Sequence, residues 1–112
     1  MKKFLVLYKA SPEAFDKMMK SATPEQQKEG MQAWMGWMTS AKASLVDMGA
    51  PLGKATQVTT KGTSSTRNDL GGYSIMQGES PEEIAALLKS NPHFQMPDAT
   101  IEITEIMPTP GM

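Results

Sequence analysis

His93 is the only histidine in a chain of 112 residues. Imidazole is the side chain whose ordinary pKa, ~6.5, lies in the working range of an acid/base catalyst. Such chemistry needs a cleft and a second group that orients one ring nitrogen. Asp98, across Pro97, and Asp69, in a polar connection, are the carboxylates that loops can bring to it, so His93, Asp98 and Asp69 form the candidate catalytic set. The competing role for His93 is structural: it follows a helix, where a cationic imidazole suits the last carbonyls and the macrodipole. Trp34 and Trp37 are three apart, neighbours on a helix surface, and with Met31, Met35 and Met38 they are candidates to wall an apolar ligand pocket. The same stripe also describes plain core, in which Trp34→Ala costs about 3–5 kcal/mol. Arg67 and Lys61, in the same connection as Asp69, are candidates to meet an anionic ligand, and Tyr73, just beyond, completes the candidate binding set.

Other pairs that invite a chemical reading have simpler ones. Gly71-Gly72 lacks the following helix and the Lys-Ser/Thr of a phosphate cradle and reads as a tight turn entering a strand. Glu82 and Glu83 open a helix, where capping and the dipole account for them. With no cysteine, disulfides, thiol nucleophiles and thiolate metal sites are excluded, and one histidine cannot make a histidine-rich site. No metal or cofactor is expected. A net charge of −1 with both signs scattered gives no footprint for nucleic acid. The opening MKKFLVLYKAS has an apolar run of only Phe4 to Tyr8, short of the roughly 7–15 residues of a signal peptide core. No stretch approaches the roughly 18 apolar residues of a membrane span. The expectation is a soluble, cytoplasmic protein. Eleven methionines suggest a plastic, adaptable interior or groove, against which the favoured reading is simple core filler.

The elements that must position these residues follow from periodicity and caps. Residues 3–9, KFLVLYK, are apolar on both faces of an extended strand, as a central strand requires. Ser11-Pro12 starts a helix over 11–22, and Thr23-Pro24 with Gln26 starts another over 23–49, which Gly49 stops. Met31, Trp34, Met38, Ala41, Leu45 and Met48 make its buried stripe. Residues 54–60 and 72–77 are strands, joined by a long mobile loop over 61–71. Ser80, Pro81 and Glu83 start the cleanest helix, with Ile84, Leu87 and Leu88 inward and Asn91-Pro92 at its end. Residues 100–107 are the last strand. The order β-α-β-β-α-β, with right-handed crossovers, predicts an α+β ferredoxin-like sandwich: a four-stranded antiparallel sheet with helices on one face. One domain over 1–107 and a tail at 108–112 are expected. The sheet face away from the helices is left bare and half apolar, and a two-fold homodimer is the simplest way to cover it.

The Trp-bearing helix running into SLVDMGAPLG, the hairpin ending in LGGYSIM, then SPEEIAALLKSNPHF and the terminal IEITEI resemble the YCII-related family over nearly the whole chain. The most specific pieces are Gly49 with Leu52, Leu70-Gly71-Gly72-Tyr73, and Asn91-Pro92-His93. The resemblance implies a ferredoxin-like fold and a dimeric α/β barrel. Some members carry a histidine and an aspartate in a cleft, and others an Asp-Gly-Pro-Phe motif in the hairpin. Here TKGT (60–63) stands in place of that motif, Asn68 replaces the usual carboxylate, Arg67 keeps its charge, and LYKASP has no histidine near it. These departures weigh toward a homodimer that binds a small molecule, or serves as an accessory domain, through a cleft between facing sheets. The alternative is a small acid/base enzyme of the isomerase or lyase type, with His93 as its base.

Overall fold

The computed structural model describes residues 1–110. Strand β1 (Lys2–Lys9) buries Phe4, Val6 and Tyr8 on one face and leaves Leu5 and Leu7 partly exposed on the other. Helix α1 (Pro12–Ser21) starts where Ser11 Oγ accepts the Ala14 N–H. Helix α2 (Pro24–Ser40) starts on a full capping box: Thr23 accepts from the Gln26 backbone, and the Gln26 side chain accepts from the Thr23 N–H. A 3-10 turn (Lys42–Ser44) leads into the short strand β2 (Leu45–Asp47). Strands β3 (Ala55–Thr59) and β4 (Gly62–Thr66) form a hairpin, followed by β5 (Leu70–Gly78), α3 (Pro81–Leu88), a 3-10 turn (Pro92–Gln95) and β6 (Thr100–Glu105).

The main sheet is antiparallel in the order β2-β5-β1-β6, with β1 and β5 in the middle, and this is the ferredoxin-like arrangement expected from the element order. Phe4, Val6, Tyr8 and Met76 face Trp37, Ala41, Ile84 and Leu88 in one core. Burying a side chain such as Phe4, at 0% exposure, contributes about 1.5–3 kcal/mol. Leu5, Leu7, Tyr73 and Ile75, paired across β1 and β5 as Leu5↔Ile75 and Leu7↔Tyr73, lie on the face away from that core.

Several boundaries differ from the sequence reading. The helix expected over 23–49 ends at Ser40, where Thr39 Oγ1 and Ser40 Oγ donate to the Met35 and Trp37 carbonyls. Leu45, on the helical stripe by spacing, instead pairs with Met76 as part of β2. The second strand of the main sheet is therefore Leu45–Asp47, and the strand expected at 54–60 belongs to a separate sheet with β4, where a polar loop was expected. Gly49 does not stop a helix. It turns the chain at φ +74°, and a Cβ there would collide with the Tyr73 carbonyl. Gly71 and Gly72 lie inside β5 rather than in a turn: the Phe15 ring occupies the space of a Gly71 side chain. Nor are most methionines filler, since Met1, Met18, Met19, Met31, Met35, Met48 and Met107 are exposed. Of the tail expected at 108–112, residues 111 and 112 lie outside the described residues.

Candidate functional site

Asn91 and His93 bring chemistry to the end of the sheet because Pro92 makes the chain leave α3 in a tight turn. The Asn91 Oδ1 accepts the His93 N–H at 2.8 Å. That bond caps the 3-10 turn and carries the imidazole under the sheet. His93 is 6% exposed. Its Nε2 lies 2.9 Å from the Lys9 carbonyl and 3.2 Å from the Thr100 carbonyl. Carbonyls only accept, so Nε2 carries a proton. Lys9 and Thr100 are opposite each other in the ladder, and the imidazole ties β1 to β6 where their pairing ends. The ring sits edge-on to Tyr8 at 5.6 Å and stacks on Phe15 at 6.2 Å. Both arrangements are favoured by the ring quadrupoles.

A second polar line runs from the same corner into the core. Tyr8 Oη and Ser74 Oγ are 2.9 Å apart, and Ser74 Oγ donates to the Met48 carbonyl at 2.9 Å. The serine proton is thereby used, so the phenol O–H points toward Ser74. Burial raises the Tyr8 phenol above its ordinary value, and hydrogen bonding toward Ser74 and the nearby Asn91 amide acts against it. The Asn91 amide leans on that phenol without reaching hydrogen-bonding geometry, and its Nδ2 has no partner among the described residues. Trp34 meets Tyr8 edge-on at 5.2 Å and Trp37 at 6.0 Å. Trp37 is the more buried of the two, and its Nε1 donates to the Leu87 carbonyl at 2.9 Å, so Trp37 rather than Trp34 is the core tryptophan.

The other candidate residues lie apart from this corner or on its rim. Asp69 reaches Lys9 Nζ at 3.6 Å, alongside Glu102 at 3.2 Å, and these two carboxylates hold the Lys9 ammonium above its ordinary pKa, Glu102 foremost. Asp98 is exposed, at a left-handed φ of 59°. The imidazole's hydrogen bonds go to the two carbonyls, and neither carboxylate takes one. Arg67 grips Glu13 through two hydrogen bonds of 2.7 and 2.9 Å, tying the root of the hairpin to α1 and holding the Glu13 carboxyl below its ordinary value. A bidentate pair of this kind is the strong form of the arginine–carboxylate contact. Tyr73 is on the open sheet face opposite Leu7. Among the described residues no cluster of three metal-ligating side chains occurs, and no helix is long and apolar enough to cross a membrane.

Tyr8, Ser74 and Asn91 escape a reading by residue type, since Tyr8 reads as strand and Asn91 as a helix end. The usable signal is Ser74: it falls in phase with Gly72 and Met76 in β5, opposite Val6, so its hydroxyl has to find a buried partner.

No protein-family model matches the chain, and no curated protein matches it. Among solved structures, it is similar to the 5-chloro-2-hydroxyhydroquinone dehydrochlorinase of Burkholderia phenoliruptrix AC1100 in complex with 2,5-dihydroxybenzoquinone. The two share 20% identity at a TM-score of 0.51, over 89% of this chain and 90% of that one. At that distance the likeness is one of fold, and the fold it supports is the α+β sandwich built above.

Proposed function

We propose that the protein is a YCII-related homodimer, working in the cytoplasm, that binds a small molecule. The observation that carries the dimer is the quartet Leu5, Leu7, Tyr73 and Ile75 on the sheet face that no core helix covers. Facing sheets pack at about 10 Å. Two such faces related by a two-fold axis would remove four apolar side chains per protomer from water. Lys9 and Glu102, which pair with each other beside the quartet, would form its polar rim. Light scattering should report a dimer for the native chain and a monomer for Leu7→Glu; a native monomer at micromolar concentration would sink this part. The fold neighbour's quinone complex supports a small-molecule ligand, and calorimetric titration with 2,5-dihydroxybenzoquinone is a direct first trial.

The second reading is acid/base chemistry at His93. It is favoured by the two carbonyls at Nε2, which leave Nδ1 as the ring nitrogen they do not engage and fix the ring among Tyr8 and Phe15. On that reading Nδ1 is the base, and Asp69 and Asp98 act only after a loop movement. His93→Gln, which keeps an N–H donor but has no basic nitrogen, should retain binding and abolish any turnover found. Turnover that survives this change rules the second reading out.

A further inference from the structure

We propose that the small molecule binds in the open cleft between α2 and the chain that leaves α3, and that it is a planar, aromatic-sized anion. This rests on the small-molecule reading above and gives that reading a place other than the sheet-sheet seam. The cleft measures about 510 Å³. That is within the roughly 300–1,000 Å³ of small-ligand sites. One wall is α2, where Ala33 and Gly36 present almost no side chain and Trp37 closes the depth. Lys89, Asn91 and Phe94 make the other.

Each part of the lining points to a chemical feature of the ligand. Asn91 is 3% exposed, and its Nδ2 has no hydrogen-bond partner among the described residues. A buried amide donor left unmade is costly, and a ligand oxygen would satisfy this one. Its Oδ1 is already committed to the His93 N–H, which settles that the donor end of the amide is Nδ2. Phe94, 48% exposed, lines the cleft with a half-exposed ring. On the α2 wall, a Cβ built on Gly36 would meet nothing within 4 Å, so the wall there is bare backbone facing open space. A flat ring fits between an aromatic side chain and such a wall. Lys89, exposed at the lip, supplies a cation for a carboxylate or an ionised hydroxyl. A small turn of the Asn91 amide away from Tyr8 would bring Nδ2 to the same oxygen.

Gly36 makes the test clean. Gly36→Leu fills the cleft and at the same time raises helix propensity, so lost binding cannot be blamed on unfolding. Gly30, on the same helix but outside the cleft and likewise with nothing within 4 Å of a built Cβ, is the control. The probes are benzoate, benzyl alcohol and cyclohexanecarboxylate, titrated into the full chain and followed by amide NMR. The chain has two asparagines, so the Asn91 side-chain signal is assigned by its disappearance in Asn91→Asp. Benzoate should move the Asn91 side-chain amide and the backbone amides of Ser90 and Phe94 on one saturable curve. Benzyl alcohol and cyclohexanecarboxylate should each bind at least about tenfold more weakly, for want of charge and of planarity. Gly36→Leu should abolish the response and Gly30→Leu leave it intact. Benzoate binding unchanged in Gly36→Leu, or a response that spares the Asn91 side chain, overturns the site while leaving small-molecule binding elsewhere in place. No response to any probe overturns the site as well, and the dimer is judged separately by light scattering.

Discussion

His93 illustrates how a residue whose type suggests a reagent can be held as a fastening. Its Nε2 proton is shared by two carbonyls at facing ends of β1 and β6, and its ring is packed on Phe15 and Tyr8. Removing it leaves two strand-end carbonyls without their donor and a hole between aromatic rings. His93→Ala should therefore destabilise the fold by about 2–4 kcal/mol in urea denaturation, combining cavity and hydrogen-bond losses. A loss below about 1 kcal/mol would mean the ring is not structural. Tyr8 makes a pH prediction with a definite sign. Its phenol is raised by burial, so the folded state holds this proton more tightly than the unfolded chain. The associated stability is present below the ordinary tyrosine pKa of ~10 and is lost as pH climbs through the higher folded value. Thermal denaturation in alkaline buffers should show a smaller loss for Tyr8→Phe than for the native chain.

At the scale of elements, α2 separates its two tryptophans. Trp37 is 5% exposed and hydrogen-bonded to α3 through Leu87, whereas Trp34 packs edge-on against Tyr8 and remains partly exposed. The expectation of about 3–5 kcal/mol for losing a core tryptophan thus belongs to Trp37→Ala, with Trp34→Ala costing less. Chemical denaturation of the two variants should rank them in that order. The β3–β4 hairpin behaves differently. Apart from Ala55 its residues are exposed, Val58 at 74%, and none joins the core. A two-stranded hairpin alone in water is marginal. It is anchored at its root, by Arg67 on Glu13 and by Asn68 donating to the Gly53 carbonyl at 2.6 Å. Replacing 55–66 by a short glycine linker should change the stability of the body by less than about 1 kcal/mol, and trypsin should cut the native chain first at Lys61.

The whole molecule is broad and thin, 49 × 45 × 20 Å, one sheet thick with helices on a single side. A protein of two layers exposes whatever its sheet carries on the outer face, and here the middle strands carry Leu5, Leu7, Tyr73 and Ile75 there. On the proposed dimer, Leu7→Glu should therefore act on assembly and not on folding: the helix-side core is untouched, and circular dichroism should stay native while scattering mass halves. Loss of folded signal in that variant would mean instead that the protomer needs its partner to fold.

Local chemistry determined much of this protein from the sequence alone. Ser11-Pro12, Thr23-Pro24 with Gln26, and Ser80-Pro81 announced all three α-helix starts, because N-caps satisfy backbone donors within a few residues. Two-faced apolarity in 3–9 marked the central strand, and the order of elements then left few topologies for the sheet. Tertiary structure alone decided where α2 stops. Leu45 suits either a helical stripe or a strand, and the free edge of β5 drew it into the sheet, which displaced residues 54–60 into a hairpin of their own. The candidate site was legible only as the type of one residue, His93. Its partners, the Lys9 and Thr100 carbonyls, are main-chain atoms that carry no signature in side-chain sequence. The corner where Asn91 approaches Tyr8 also joins that phenol to Ser74, 66 residues further along the chain, a proximity set by strand pairing and helix packing rather than by local spacing.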